Sequence, residues 1–167
     1  MISLNKKGNR EKIAKLIESR GEIVENYLVY GSLDIKPLIS MRNSLSKTLE
    51  SAESSEGELY RTYQTSAVQL FEITYEIAWK TLQKVLKSIG IDVRYSKDTF
   101  REAFKIGLIK DPEAWFDFLT IRNETVHSYD SDILEEIFEV LPDFIKEIES
   151  LIDNLKEFKA KEINYEK

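Results

Sequence analysis

The chain has 167 residues, 42% hydrophobic and 32% charged, the balance of one folded domain and too apolar for a disordered chain. It contains no cysteine and a single histidine, which excludes a disulfide scaffold, thiol catalysis, cysteine-based zinc or iron–sulfur sites and a multi-histidine metal centre within one chain. Its net charge of -6 argues against nonspecific coating of nucleic acid, so any RNA or DNA contact must come from a local site.

No run approaches the ~18 apolar residues of a membrane span, and the N-terminus lacks the charged-then-apolar pattern of a signal peptide. A cytoplasmic protein without membrane contact is expected. Charge is uneven: residues 1–50 carry nine Lys/Arg and six Asp/Glu, and the remainder carries 15 and 24. A basic segment of this kind is most often a solvated helix face, with an acidic partner or nucleic acid as the alternative.

Six glycines and three prolines favour long helices over many short strands. Residues 1–37 read as a basic extension, with a short helix capped by Asn9 and ended by Gly21. Its residues 23–30 are ambiguous between helix and strand, and Gly31, Ser32 and Pro37 mark a turn. From Leu38 the helical period is clear, with Leu38, Met41, Leu45 and Leu49 on one face. Ser51–Gly57 reads as a loop. A long helix from about Glu58 to Ile89 carries an apolar band wide enough to touch several neighbours. Ser96 or Asp98 is the expected cap of a short helix bearing Phe100, Ala103 and Phe104. Asp111-Pro112-Glu113 is a strong helix start, because proline fits the first turn and an acid suits the positive end of the dipole. A last helix starts around Asp130–Asp132, is kinked or restarted by Pro142, and frays after Lys159. The expectation is an all-α antiparallel bundle of four to five helices over residues 38–160, followed by a frayed tail, 161–167.

One stretch can carry chemistry: Ile121-Arg-Asn-Glu-Thr-Val-His-Ser-Tyr-Asp130. His127 can move protons near neutral pH, Arg122 can hold a phosphate and stabilise developing charge, and Asn123 can orient either group. On an ideal helix Arg122 and His127 stand about 140° apart, so their convergence needs a helix end, a bend or a second chain. Metal-free RNA cleavage, in which the ribose 2′-hydroxyl attacks its neighbouring phosphate, needs both a base and an acid. One histidine per chain then requires a two-fold dimer. The competing reading is structural: His127 at a helix end for the dipole, Arg122 paired with Glu124 or Asp130, and Tyr129 in the core.

At these residues the chain resembles the HEPN superfamily, and within it the HepT-like group, also called nucleotidyltransferase substrate-binding proteins. The motif Arg-x4-His-x-Tyr is intact as Arg122, His127 and Tyr129, and the stretches Phe71–Gln83 and Phe100–Asp130 resemble the same group. The resemblance covers roughly residues 40–155. It implies a dimer with two Arg–His motifs in one cleft and a metal-independent endoribonuclease toxin without a cofactor. It also implies a cognate minimal nucleotidyltransferase as antitoxin, able to transfer AMP to the motif tyrosine, here Tyr129. Other members of the group are noncatalytic substrate-binding subunits, which is the alternative function.

Three further residues, Trp79, Lys80 and Arg101, are candidates to line the cleft, against the plainer reading of core and surface. Arg101 belongs to a modest basic cluster with Arg94, Lys97 and Lys105, which either guides a phosphate backbone or offsets Asp130, Asp132, Glu135 and Glu136. Asp130-Ser131-Asp132 is better read as a helix cap than as a cation site. Tyr30-Gly31-Ser32 resembles the Gly-Ser turn of nucleotidyltransferases, but no Asp-x-Asp pair follows it, so this chain is not read as the transferase.

Overall fold

The computed structural model describes residues 34–165, with side chains to Phe158. The expected Asn9 helix, the ambiguous segment 23–30 and the Gly31-Ser32 turn lie outside the described residues. Within them the protein is all-α, with five helices and no strand: α1 (Lys36–Glu53), α2 (Gly57–Ser88), α3 (Ser96–Lys105), α4 (Pro112–Glu124) and α5 (Ser131–Tyr165). A single 3-10 turn, Thr125–His127, separates α4 from α5.

The chain forms two units, with the boundary crossing α2 after Ala78 and α5 after Ser150. The first comprises Lys36–Ala78 and Glu113–Ser150. Its core is built by periodicity. Leu38, Leu45 and Ala52 recur every seven residues on α1 and are fully buried. Buried Ala52 carries α1 beyond the expected boundary at Ser51, so the loop shrinks to residues 54–56. On α2, Ala67, Val68, Phe71, Tyr75 and Ala78 face inward. Phe144 of α5 lies at the centre of an aromatic cluster, edge-on to Phe71 at 4.7 Å, Phe118 at 5.1 Å and Trp115 at 6.1 Å. These rings clamp α4 between α2 and α5. The start of α5 is tied down as well: Glu135 accepts hydrogen bonds from Gln64 and from the Tyr60 hydroxyl. Partial burial and the adjacent carboxylate raise the Tyr60 phenol above its ordinary value, so it stays a donor.

Pro142 does not restart α5, which runs through it unbroken. Leu141, Phe144 and Ile148 are fully buried on either side, and their packing outweighs the one backbone hydrogen bond that proline removes. The helix continues past Lys159 to Tyr165.

The second unit contains Trp79–Pro112 and the chain from Leu151. Leu82, Leu86, Phe100, Ala103 and Leu151 are among its buried residues. Gln83 donates to the Val93 carbonyl at 2.7 Å and Asn154 to the Leu108 carbonyl at 2.9 Å, satisfying backbone groups in the connections. Neither Ser96 nor Asp98 caps α3. The cap position is Tyr95, without a side-chain bond, while Ser96 is already helical and Asp98 pairs with Arg101 at 2.9 Å. The helix ends in a Schellman motif, with Gly107 N–H bonded to Phe104 O and Leu108 N–H to Ala103 O. Gly107 there has φ +80°, and a Cβ would meet nothing within 4 Å. Gly107→Ala is therefore expected to cost about 1–2 kcal/mol of stability from backbone conformation alone. A shift in the urea midpoint with unchanged slope measures it.

Candidate active site

The site grows out of the end of α4. Pro112 occupies the first helical position and Glu113 the first turn, as expected. Trp115, Phe118 and Arg122 follow one another at three- and four-residue spacing, so Arg122 continues the row that faces the core. Its side chain is 37% exposed, and Nη2 lies 3.3 Å from Oε1 of Glu76 on α2. The guanidinium Nε is buried without a hydrogen-bond partner. A buried donor without a partner on a charged group is costly to hold.

The helix stops two residues later. Buried Thr125 donates its hydroxyl to the Arg122 carbonyl at 2.7 Å, and the backbone tightens into the 3-10 turn. Ser128 N–H bonds to Thr125 O and Asp130 N–H to His127 O. Asp130 then caps α5, its carboxylate accepting from Asp132 N–H at 2.9 Å. The Asp130-Ser131-Asp132 triplet is thus a cap. No group of three or more possible metal-ligating side chains occurs among the described residues.

This turn is a helix end lying between Arg122 and His127; Arg122 meets Glu76, and His127 meets the Tyr129 ring. The turn places His127 and Asn123 in solvent and Tyr129 at 78% exposure. The His127 and Tyr129 rings meet at 6.1 Å between centroids, with planes 70° apart. Tyr129 is therefore not a core residue. Arg122 pairs with Glu76, not with Glu124 or Asp130, because its place on the inward row turns it toward α2. Arg122, Asn123, His127 and Tyr129 all lie in the first unit, whereas Trp79, Lys80 and Arg101 belong to the second. There Trp79 is half-buried, Lys80 Nζ lies 6.0 Å from the centre of the Trp79 ring, and Arg101 holds Asp98. Lys105 likewise pairs with Glu102 at 2.6 Å, so these two cations of the basic cluster have partners on their own helix.

Sequence reasoning missed Glu76. A signal existed: Glu72 and Glu76 are the only carboxylates in the apolar stretch Phe71–Leu86. Which distant cation either would meet depends on how α4 packs, which periodicity does not reveal.

Residues 33–157 match the family described as nucleotidyltransferase substrate binding protein like. The chain belongs to that family. It is 32% identical over 101 residues to a Haemophilus influenzae protein named probable ribonuclease HepT, covering 58% of this chain and 69% of that protein. Two solved structures share the fold. One, from Haemophilus influenzae, is described as the fold of a substrate-binding domain of a nucleotidyltransferase; it has a TM-score of 0.68 and 26% identity, covering 74% of this chain and 99% of that one. The other, from Thermus thermophilus, has a TM-score of 0.59 and 28% identity, covering 69% and 98%. The HepT-like membership read from the sequence blocks is upheld. No described helix is long and apolar enough to cross a membrane.

Proposed function

We propose that the protein is a HEPN-type endoribonuclease, the toxin of a toxin–antitoxin pair, which works as a homodimer without a metal. The observation that carries this reading is the break after α4, which exposes the imidazole five residues beyond a half-buried arginine. In the proposed reaction His127 removes the proton from a ribose 2′-hydroxyl. The oxygen attacks the adjacent phosphorus, the phosphorus–O5′ bond breaks, and His127 of the partner subunit protonates the departing 5′-oxygen. Arg122 stabilises the charge developing on the phosphate, and Asn123 positions the phosphate or the imidazole. Glu76 holds Arg122 by one nitrogen and fixes its direction. The relative named a probable ribonuclease supports this reading.

A cognate minimal nucleotidyltransferase is the proposed antitoxin, with the exposed Tyr129 hydroxyl as acceptor of AMP. The phenol oxygen attacks the α-phosphorus of ATP and pyrophosphate leaves. The added charge and bulk then sit beside His127. A noncatalytic substrate-binding role is the second reading, favoured by the description of the Haemophilus structural relative.

Incubating the purified full-length chain with RNA in excess EDTA separates the two. The nuclease reading expects fragments ending in 2′,3′-cyclic phosphate and 5′-hydroxyl groups. Intact RNA, together with a stable complex with a cognate nucleotidyltransferase, would establish the noncatalytic role instead.

A further inference from the structure

We propose that Tyr129 is a stacking platform for a nucleobase of the bound RNA, and that stacking rather than phosphate attraction supplies the local affinity of the site. The proposal rests on the ribonuclease reading and names how that site holds its substrate.

The segment that carries His127 is poor in positive charge. Between Arg122 and Lys146 the chain has no lysine or arginine and seven carboxylates. Arg122 itself is engaged by Glu76. A polyanion gains little Coulomb attraction from this segment, so beyond the Arg122 contact another interaction is needed to hold it. The same turn displays apolar surface: Tyr129 is 78% exposed and Val126 70% exposed. The backbone that carries them is held by two bonds, Ser128 N–H to Thr125 O and Asp130 N–H to His127 O. The backbone under the ring is thus held before the ligand arrives, which lowers the entropic cost of binding.

Geometry couples the platform to the reacting group. The rings of Tyr129 and His127 lie 6.1 Å apart with planes at 70°. A base lying flat on Tyr129 is therefore steeply inclined to the imidazole, and its own sugar and phosphate lie within reach of His127. Every base has a π-face, so such a platform orders single-stranded RNA with little sequence preference. A nucleotide joined to the Tyr129 oxygen competes for the same ring, which gives the proposed modification a physical means of blocking RNA.

The test uses the full-length protein and a fluorescent 2′-O-methyl oligonucleotide, which lacks the nucleophile and is not consumed. Anisotropy titrations compare wild type, Tyr129→Phe and Tyr129→Ala at two salt concentrations. Tyr129→Phe is expected to bind within about twofold of wild type, and Tyr129→Ala to bind roughly 5- to 150-fold more weakly. The Ala-to-wild-type ratio is expected to be the same at both salt concentrations, because stacking releases no counterions. Equal binding by Tyr129→Ala and wild type would overturn the proposal, as would a Phe variant as weak as the Ala variant or a wild type that binds no oligonucleotide. If wild type cleaves RNA while Tyr129→Ala binds normally, the platform fails and the nuclease stands. If binding depends on the ring but RNA is never cut, the nuclease reading fails and the platform stands.

Discussion

Arg122→Ala is expected to lower the rate of RNA cleavage by about 10²- to 10³-fold, the usual loss when one preorganised donor to developing charge is removed. Arg122→Lys is expected to recover little of it. An ammonium is a point charge on a flexible stem and does not reproduce the planar fork that Glu76 holds by one corner. Stability should change by less than about 1 kcal/mol, since the Arg122 and Glu76 side chains are 37% and 34% exposed and an ion pair open to water contributes little. Single-turnover cleavage paired with urea unfolding measures both. A rate within about threefold of wild type would remove Arg122 from the phosphate-binding role.

The largest structural effect is expected at Phe144. Its ring is fully buried and touches Phe71, Trp115 and Phe118, so it joins three helices of the first unit. Phe144→Ala removes that contact and leaves a cavity the neighbouring rings cannot all close. The expected cost is about 3–5 kcal/mol. A domain of this size typically has about 5–15 kcal/mol in total, so the variant should unfold at much lower urea or fail to accumulate. RNA cleavage should fall with the folded fraction, because the same cluster fixes α4 and hence Arg122. A loss below about 1 kcal/mol would show that the cluster is not the centre of the core.

These two residues show what a sequence discloses. Phe144 and the other core rings announce themselves through three- and four-residue spacing, and the five helices follow from that period. The Arg122–His127–Tyr129 motif is equally visible; on an ideal helix its arginine and histidine diverge, and the chain leaves the α-helix between them, at Thr125. Local rules failed where a packed residue overrode them. Ala52 extends α1 into a stretch that reads as loop, and the row Leu141–Phe144–Ile148 keeps α5 helical through Pro142. The capping role given to Ser96 or Asp98 failed because Ser96 is already inside α3 and Asp98 is taken by Arg101. Glu76 was hidden for a different reason. Its pairing with Arg122 joins residues 46 positions apart, and nothing in either helix alone encodes it. The passage of α2 from one unit to the other at Ala78 is likewise a property of the packed chain, not of any break in its hydrophobic period.

His127→Ala decides whether the imidazole at the helix break moves the protons of RNA cleavage. The side chain is exposed, so the variant should fold and melt as wild type does. With RNA in excess EDTA, wild type is expected to produce cyclic-phosphate ends and His127→Ala to be slower by about 10²- to 10⁴-fold. Cleavage by His127→Ala at the wild-type rate, with the same product ends, would contradict that role for the imidazole.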